Sequence, residues 1–366
     1  MRIVEVIPQL GSGGAERFVV DLSNELSKNN DVTLIALWPL KGNQKFYLPQ
    51  LSPSVKVISL NKKPGLDFNT FIKLWRLIKQ IKPDIIHSHT DALLYSCFSQ
   101  VFLSKGVHTI HSEPVNEANG KIQLLIRKFL FKRHAVEPIT ISPFSNESFV
   151  NFYGTTANLI NNGRDIPSNL KVSDQVKEEF KCYRRDASTK VIVQLAHMDK
   201  TKRQVLMAQV AKQLYEEGFN FSILFIGDDR REPEITQKVK ANMPPCCYIL
   251  GERPNPLEYL KEAGAYGLCS LIEGFPISLI EAIGVGAIPI CTPVGGIVNV
   301  VKDGINGFLS EDTDLTSYYK AMKRYLCLSD EDRIIMAKKA YESYKPYTMK
   351  ECATKYLSFF HSIINN

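Results

Sequence analysis

The chain has 366 residues, is 44% hydrophobic and 23% charged, and carries a net charge of +7. That length suits two domains or one large barrel, and that composition excludes wholesale disorder. No apolar run reaches the roughly 18 residues of a membrane span, the N-terminal MRIVEVIPQLGSGGAE lacks the build of a secretory leader, and eight cysteines without a CxxC pair offer neither a disulfide scaffold nor a zinc site, so a cytosolic protein with reduced thiols is expected.

In chain order, Ile3–Pro8 reads as a strand, followed by the glycine loop Gly11-Ser12-Gly13-Gly14. Phe18, Leu22 and Leu26 recur every four residues and predict a helix. Asp31–Leu37 is a β-branched apolar run, hence a strand. Phe68–Ile81 is an amphipathic helix stopped by Pro83, and Asp84–His89 is a strand ending in His-Ser-His. Val107–His111 and Pro138–Ser142 are further short strands. Turn residues gather at Asn158–Asn169, which predicts a boundary there. The rhythm restarts with strand Lys190–Leu195, helix Val205–Glu217 and strand Phe221–Gly227. Strands Tyr248–Gly251, Ala265–Ser270 and Ile288–Thr292 follow, with a helix starting near Ile277 between the last two. Two doubly wound parallel sheets in tandem are therefore expected, with ligands at the carboxyl ends of their strands.

Three motifs carry candidate chemistry. The first is the loop Gly11–Glu16 between a strand and a helix, where backbone N–H groups can approach an anion. Its spacing is not GxGxxG, so a plain tight turn explains it equally well. The second is Ser270-Leu-Ile-Glu273-Gly-Phe-Pro-Ile-Ser-Leu-Ile-Glu281. Gly274 frees the loop and Pro276 suits a first helical turn. The helix start then aims free N–H groups and a positive dipole end at one spot, as a diphosphate requires. Glu281 is placed to accept from ribose hydroxyls and Glu273 from sugar hydroxyls. The bland alternative is a capping carboxylate plus an exposed helical glutamate. The third, Pro293-Val294-Gly295-Gly296 followed by Asp303-Gly304-Ile305-Asn306-Gly307-Phe308, is by itself a pair of turns.

Taken in order, GSGGAE, HSH, EGFPISLIEA, PVGG and DGINGF resemble the family 4 retaining glycosyltransferases of the GT-B fold, of the bacterial capsule and O-antigen type. The resemblance spans nearly the whole chain. It implies two Rossmann-like domains facing a central cleft: residues 1–165 for the acceptor, residues 166–348 for the nucleotide sugar, and a last helix at about 349–366 crossing back. It implies transfer of a hexose from a nucleoside-diphosphate sugar to a saccharide or lipid-linked saccharide. No metal or other cofactor is implied. By matching position, Gly13 and Gly14 lie near the diphosphate, and His111 near the transferred sugar. Glu273 falls on the sugar and Glu281 on the ribose. Gly274, Phe275, Pro276, Ile277 and Ser278 form the phosphate cradle, and Gly227 is the turn near the base.

The chain departs from the family's basic pair. Lys202 matches the lysine, but His197 stands where an arginine is usual. Histidine lacks the bidentate fork and is only partly charged near neutrality. That implies pH-sensitive donor binding, with Lys200 and Arg203 as other cations in the same stretch. Asn299 replaces a frequent glutamate. Asp228-Asp229 reads as a turn and not as a metal clamp. His87 and His89, at i and i+2 on a strand, point the same way and could chelate, but structural support is the preferred reading.

The first 165 residues carry most of the excess charge, 19 Lys/Arg against 13 Asp/Glu. Within them, Lys121–His134 reads KIQLLIRKFLFKRH with no acid. Lys121, Lys128 and Lys132 fall on one helical stripe, and Ile122, Ile126, Phe129 and Leu130 on another, as in an interfacial amphipathic helix. Lys121, Arg127, Lys128, Lys132 and Arg133 are thus expected to touch an anionic membrane on its cytoplasmic face. Nucleic acid is not expected, because no known motif is present. Two competing functions are a nucleotide-sugar epimerase and a catalytically degenerate GT-B scaffold, the latter motivated by His197.

Overall fold

The computed structural model describes residues 1–117, 120–230 and 232–365, with the side chain of Asn116 left out. The chain divides into two compact units: Met1–Asp165 together with Tyr347 onward, and Ile166–Pro346.

The first unit holds seven parallel strands: β1 (Arg2–Ile7), β2 (Asp31–Ala36), β3 (Lys56–Ser59), β4 (Ile85–His89), β5 (Lys105–Ile110), β6 (Glu137–Thr140) and β7 (Asn158–Leu159). Their order is β3-β2-β1-β4-β5-β6-β7, so the winding direction reverses between β1 and β4, where such sheets bind ligands. Helices cover both faces, which explains near-continuous apolar strands such as β2, buried from Val32 to Ala36. The segment predicted as a helix over 68–81 is one, capped by the Asp67 side chain on the Asn69 N–H and closed by Lys82 in the left-handed region. The last helix, Met349–Asn365, packs in this unit, with Tyr356 against Phe18 at 5.9 Å between ring centroids. Its entry is pinned where the Arg164 N–H donates to the Tyr347 carbonyl, and the Arg164 guanidinium reaches buried Asp21 at 2.8 Å.

The second unit holds six parallel strands: β8 (Lys190–Leu195), β9 (Phe221–Ile226), β10 (Cys247–Gly251), β11 (Ala265–Leu268), β12 (Ile288–Cys291) and β13 (Phe308–Leu309), in the order β10-β9-β8-β11-β12-β13. Here the reversal falls between β8 and β11. Their carboxyl ends carry the His197–Arg203 stretch and the Glu273 loop. Among the described residues no helix is long and apolar enough to cross a membrane.

One sequence expectation is corrected by the helix Lys121–Lys132. Arg127 is not an outward contact: it is 3% exposed and donates to Glu117 Oε2 at 3.2 Å and to the Thr90 carbonyl at 3.0 Å. It shares the inward stripe with Leu130 and Phe131, and an ion pair with Glu117 compensates its desolvation. Leu130, read as part of an interfacial stripe, is core, while Leu125 faces out. The outward face is Ile122, Leu125 and Phe129, flanked by exposed Lys121, Lys132 and Arg133.

Candidate active site

In the second unit, three loops are tied into one structure. The loop after β8 is organised by Asp199, whose Oδ1 accepts from the N–H groups of Thr201 and Lys202. Its Thr201 carbonyl accepts from the Leu271 N–H, joining it to the loop after β11. That loop is joined in turn to the one after β12: the Gly296 N–H donates to the Gly274 carbonyl at 2.7 Å, and Thr292 Oγ1 donates to the Ser270 carbonyl. Gly295 has φ +55°, and a Cβ there would stand 1.8 Å from the Glu273 carbonyl oxygen. The two motifs that read separately as EGF and PVGG are thus one packed unit.

Glu273 is buried, and its Oε1 accepts from Lys202 Nζ and from Ser270 Oγ, each at 2.6 Å. The helix Ile277–Gly284 starts four residues later, with Pro276 as its N-cap. Phe275 and Ile277 bury their side chains and Ser278 Oγ bonds Tyr266 OH at 2.7 Å, so the helix start presents the backbone N–H groups of Ile277 and Ser278. Glu281, in the same helix, is only 6% exposed, which excludes the surface-glutamate reading. The arrangement can hold an anion against a dipole end and a lysine while two carboxylates accept from neighbouring hydroxyls.

Gly227 follows β9 with φ +150°, and a Cβ would fall 1.9 Å from the Ala196 carbonyl oxygen, so only glycine fits. Beside it lies a hollow of about 230 Å³ lined by Met198, Asp228, Arg230, Ile249 and Glu252 among others. His197 Nδ1 lies 2.8 Å from Asp228 Oδ2, a close charge contact without hydrogen-bond alignment. Burial pushes the Asp228 carboxyl up, but the Arg230 hydrogen bond and the charges of His197 and Arg230 outweigh it and hold the group at about 2. His197 therefore sits against a permanent anion. Arg203, in the left-handed region with φ +55°, donates its guanidinium to the Thr313 carbonyl, and Lys200 is exposed. Of the cations weighed from sequence, Lys202 is the one the fold brings to Glu273.

In the first unit, Gly13 is the N-cap and Gly14 the first residue of the helix Gly14–Leu26, at the carboxyl end of β1. His111 follows β5. Its N–H donates to Glu117 Oε1 at 2.5 Å, and its ring packs on Phe18 at 5.4 Å. Glu117 is itself held by Arg127, so the residue expected at a membrane instead buttresses the His111 loop. His89 Nδ1 lies 2.9 Å from His111 Nε2. Glu5 Oε2 lies 2.7 Å from His89 Nε2 and 3.0 Å from His87 Nδ1. Sequence reasoning passed over Glu5. The available signal was a lone acid inside the apolar run Ile3-Val4-Glu5-Val6-Ile7, where an unpaired charge is untenable.

Two parallel sheets of this topology, each with loops at a winding reversal, define the class as a GT-B α/β fold. The family described as Glycosyltransferase Family 4 matches residues 12–166, and the one described as Glycosyl transferases group 1 matches residues 175–343. The chain belongs to the family 4 glycosyltransferases, built from those two domains. It is 26% identical over 91% of its length, and 90% of the relative's, to the Campylobacter jejuni GalNAc-alpha-(1->4)-GalNAc-alpha-(1->3)-diNAcBac-PP-undecaprenol alpha-1,4-N-acetyl-D-galactosaminyltransferase. It is 24% identical to the Escherichia coli UDP-Gal:alpha-D-GlcNAc-diphosphoundecaprenol alpha-1,3-galactosyltransferase, over 76% of this chain and 74% of that one. Among solved structures, HepE of Anabaena in complex with UDP-glucose superposes with a TM-score of 0.81 at 19% identity, covering 99% of this chain and 100% of that one. The chain is a glycosyltransferase; an epimerase finds no counterpart among these relatives.

Proposed function

We propose that this glycosyltransferase moves a hexose, with retention of configuration and without a metal, from a nucleoside-diphosphate sugar to a saccharide carried on a lipid diphosphate. The observation that carries the donor assignment is Lys202 and Ser270 converging on Glu273 directly before the helix that starts at Ile277. In this reading the diphosphate takes the backbone N–H groups of Ile277 and Ser278 together with Lys202, in a cradle shaped by Gly274, Phe275 and Pro276. Glu281 binds the ribose, the base enters the hollow beside Gly227, and Glu273 grips the sugar. Gly13 and Gly14 approach the diphosphate and His111 the sugar. His197 contributes through its contact with Asp228. No protein nucleophile is assigned. The acceptor attacks on the face the diphosphate leaves, and a diphosphate oxygen takes its proton. Stabilising the departing diphosphate is the largest protein contribution. The named acceptors of the Campylobacter and Escherichia relatives, which are diphosphoundecaprenol-linked, support the acceptor class.

The test is a thermal-shift panel of UDP-, GDP- and ADP-sugars, since a ligand of the native state stabilises by mass action. It is followed by release of free nucleoside diphosphate in the presence of chelator. The expected result is release only when acceptor is added, unchanged by chelator and not raised by manganese. Release that vanishes with chelator and returns with manganese would replace the metal-free reading.

We also place the protein peripherally on the cytoplasmic face of an anionic membrane. The contact is the outward face of Lys121–Lys132, with Ile122, Leu125 and Phe129 bordered by Lys121, Lys128, Lys132 and Arg133. At about 1 kcal/mol per basic residue near anionic lipid, Lys121, Lys132 and Arg133 together raise partitioning by roughly a hundredfold. Vesicles containing phosphatidylglycerol are expected to sediment the wild type at low salt but not the variant K121E/K132E/R133E. Equal sedimentation of the two would move the contact elsewhere.

A further inference from the structure

Glu5 lies in the middle of β1, fully buried, in register with His87 of β4. Burial by itself raises its pKa, but the charge of His87 and hydrogen bonds from His87 and His89 prevail and bring it to about 2. At neutral pH it is a carboxylate, able only to accept. His89 is also fully buried. Burial and the neighbouring His87 lower its pKa to about 4 against the opposing pull of Glu5, so it is neutral and carries one N–H.

The position of that hydrogen follows from the partners. Nε2 of His89 faces the carboxylate at 2.7 Å, so Nε2 holds the hydrogen and Nδ1 is left as a bare acceptor. The atom facing Nδ1, at 2.9 Å, is Nε2 of His111, which must then be the donor. His111 is neutral as well, because burial, first, and His89 press its pKa well below the ordinary value. Its own Nδ1 is consequently a lone pair. Each interaction fixes the next, from Glu5 to His111.

We infer that Glu5 and His89 are positioning residues that lock His111 in its Nε2–H tautomer, so that His111 meets the substrate with Nδ1 as a hydrogen-bond acceptor. The inference rests on the reading that places His111 at the transferred sugar. An accepting imidazole suits a sugar hydroxyl and excludes a second donor at that spot. The remaining histidine completes the network: His87 Nε2 lies 2.7 Å from Thr109 Oγ1, which lies 2.8 Å from Tyr356 OH on the last helix. Glu5, His87 and His89 are also the one group among the described residues whose ligand-capable atoms lie within 4.8 Å of one another. A cation there would compete with this hydrogen-bond chain, and the test separates the two.

The experiment is two-bond ¹⁵N–¹H correlation NMR of the full chain labelled with ¹⁵N-histidine, at neutral pH, with the His111 signals assigned by their loss in His111→Asn. The expected wild-type pattern has His111 protonated at Nε2 and bare at Nδ1. In Glu5→Gln the side chain presents a donor as well as an acceptor, so His111 should shift towards a mixture of tautomers. Its kcat should fall by about tenfold or more, with the donor KM held within about twofold. A core that merely lost stability would not reset the tautomer. His111 protonated at Nδ1 in the wild type overturns the inference, and this reading needs no variant to fold. An unchanged pattern and turnover in Glu5→Gln overturn it too, as does a His89 signal that moves on adding chelator, which would mark a bound cation. Full transfer by His111→Ala alongside the expected wild-type pattern would instead remove His111 from the sugar and leave the tautomer assignment standing.

Discussion

Glu273→Gln is expected to lower kcat by about 10²–10³-fold, corresponding to roughly 2.7–4 kcal/mol of lost transition-state stabilisation. The substitution preserves shape but removes the charge that Lys202 Nζ meets at 2.6 Å. Two consequences follow from that pair. The sugar loses the negative charge of its acceptor where positive charge develops in the transition state. Lys202 is also released from its carboxylate and becomes freer to bind diphosphate. The dissociation constant for the nucleoside diphosphate should therefore stay within about threefold of wild type, or tighten. Glu281→Ala should do the reverse, raising the donor KM by roughly tenfold with a smaller effect on kcat, because a ribose contact is made equally in ground and transition states. The measurements are steady-state kinetics and calorimetric binding on both variants, with melting curves to show that each is folded. Full turnover by Glu273→Gln at saturating donor would remove Glu273 from the sugar.

The strands were legible where burial on both faces produced β-branched runs. Lys190–Leu195 needs no tertiary information to be read as a strand. The two-residue strands Asn158–Leu159 and Phe308–Leu309 were not legible, because so short a ladder has no periodicity and exists only through its neighbours. The glutamates before and inside the helix starting at Ile277 were legible through their spacing and a resemblance. Their burial, and the grip of Lys202 on Glu273, were not, since Lys202 comes from the loop after β8, and the bond from Ser270, three residues before Glu273, needed the fold of their shared loop. Arg127 shows the same boundary from the other side. By composition it joined the basic residues expected at a membrane, and Glu117, ten residues earlier, together with the Thr90 carbonyl holds it inward. Glu5 was an anomaly visible in one apolar strand, yet its meaning needed the register that sets it beside His87.

Gly295→Ala is expected to cost about 2–4 kcal/mol and to disable transfer. The residue has φ +55°, where an alanine carries a strain of roughly 1–2 kcal/mol. The larger part is contact: the added Cβ would lie 1.8 Å from the Glu273 oxygen and 2.7 Å from its carbonyl carbon, with the Gly274 oxygen at 3.2 Å. All of these are backbone atoms, so relief requires moving the loop that carries Glu273. For a unit the size of Ile166–Pro346, each kcal/mol shifts the melting temperature by about 2–4 °C, which predicts a drop of roughly 5–15 °C. Gly264→Ala is the control. It too has positive φ, +74°, but nothing lies within 4 Å of its Cβ, and it closes the helix Pro256–Ala263, away from Glu273. It should lose only the conformational part, a few degrees, and keep its turnover. Equal losses in the two variants would mean that the close approach to Glu273 contributes nothing. A Gly295→Ala protein that melts early yet transfers normally would mean that the Glu273 loop can shift without harm to catalysis.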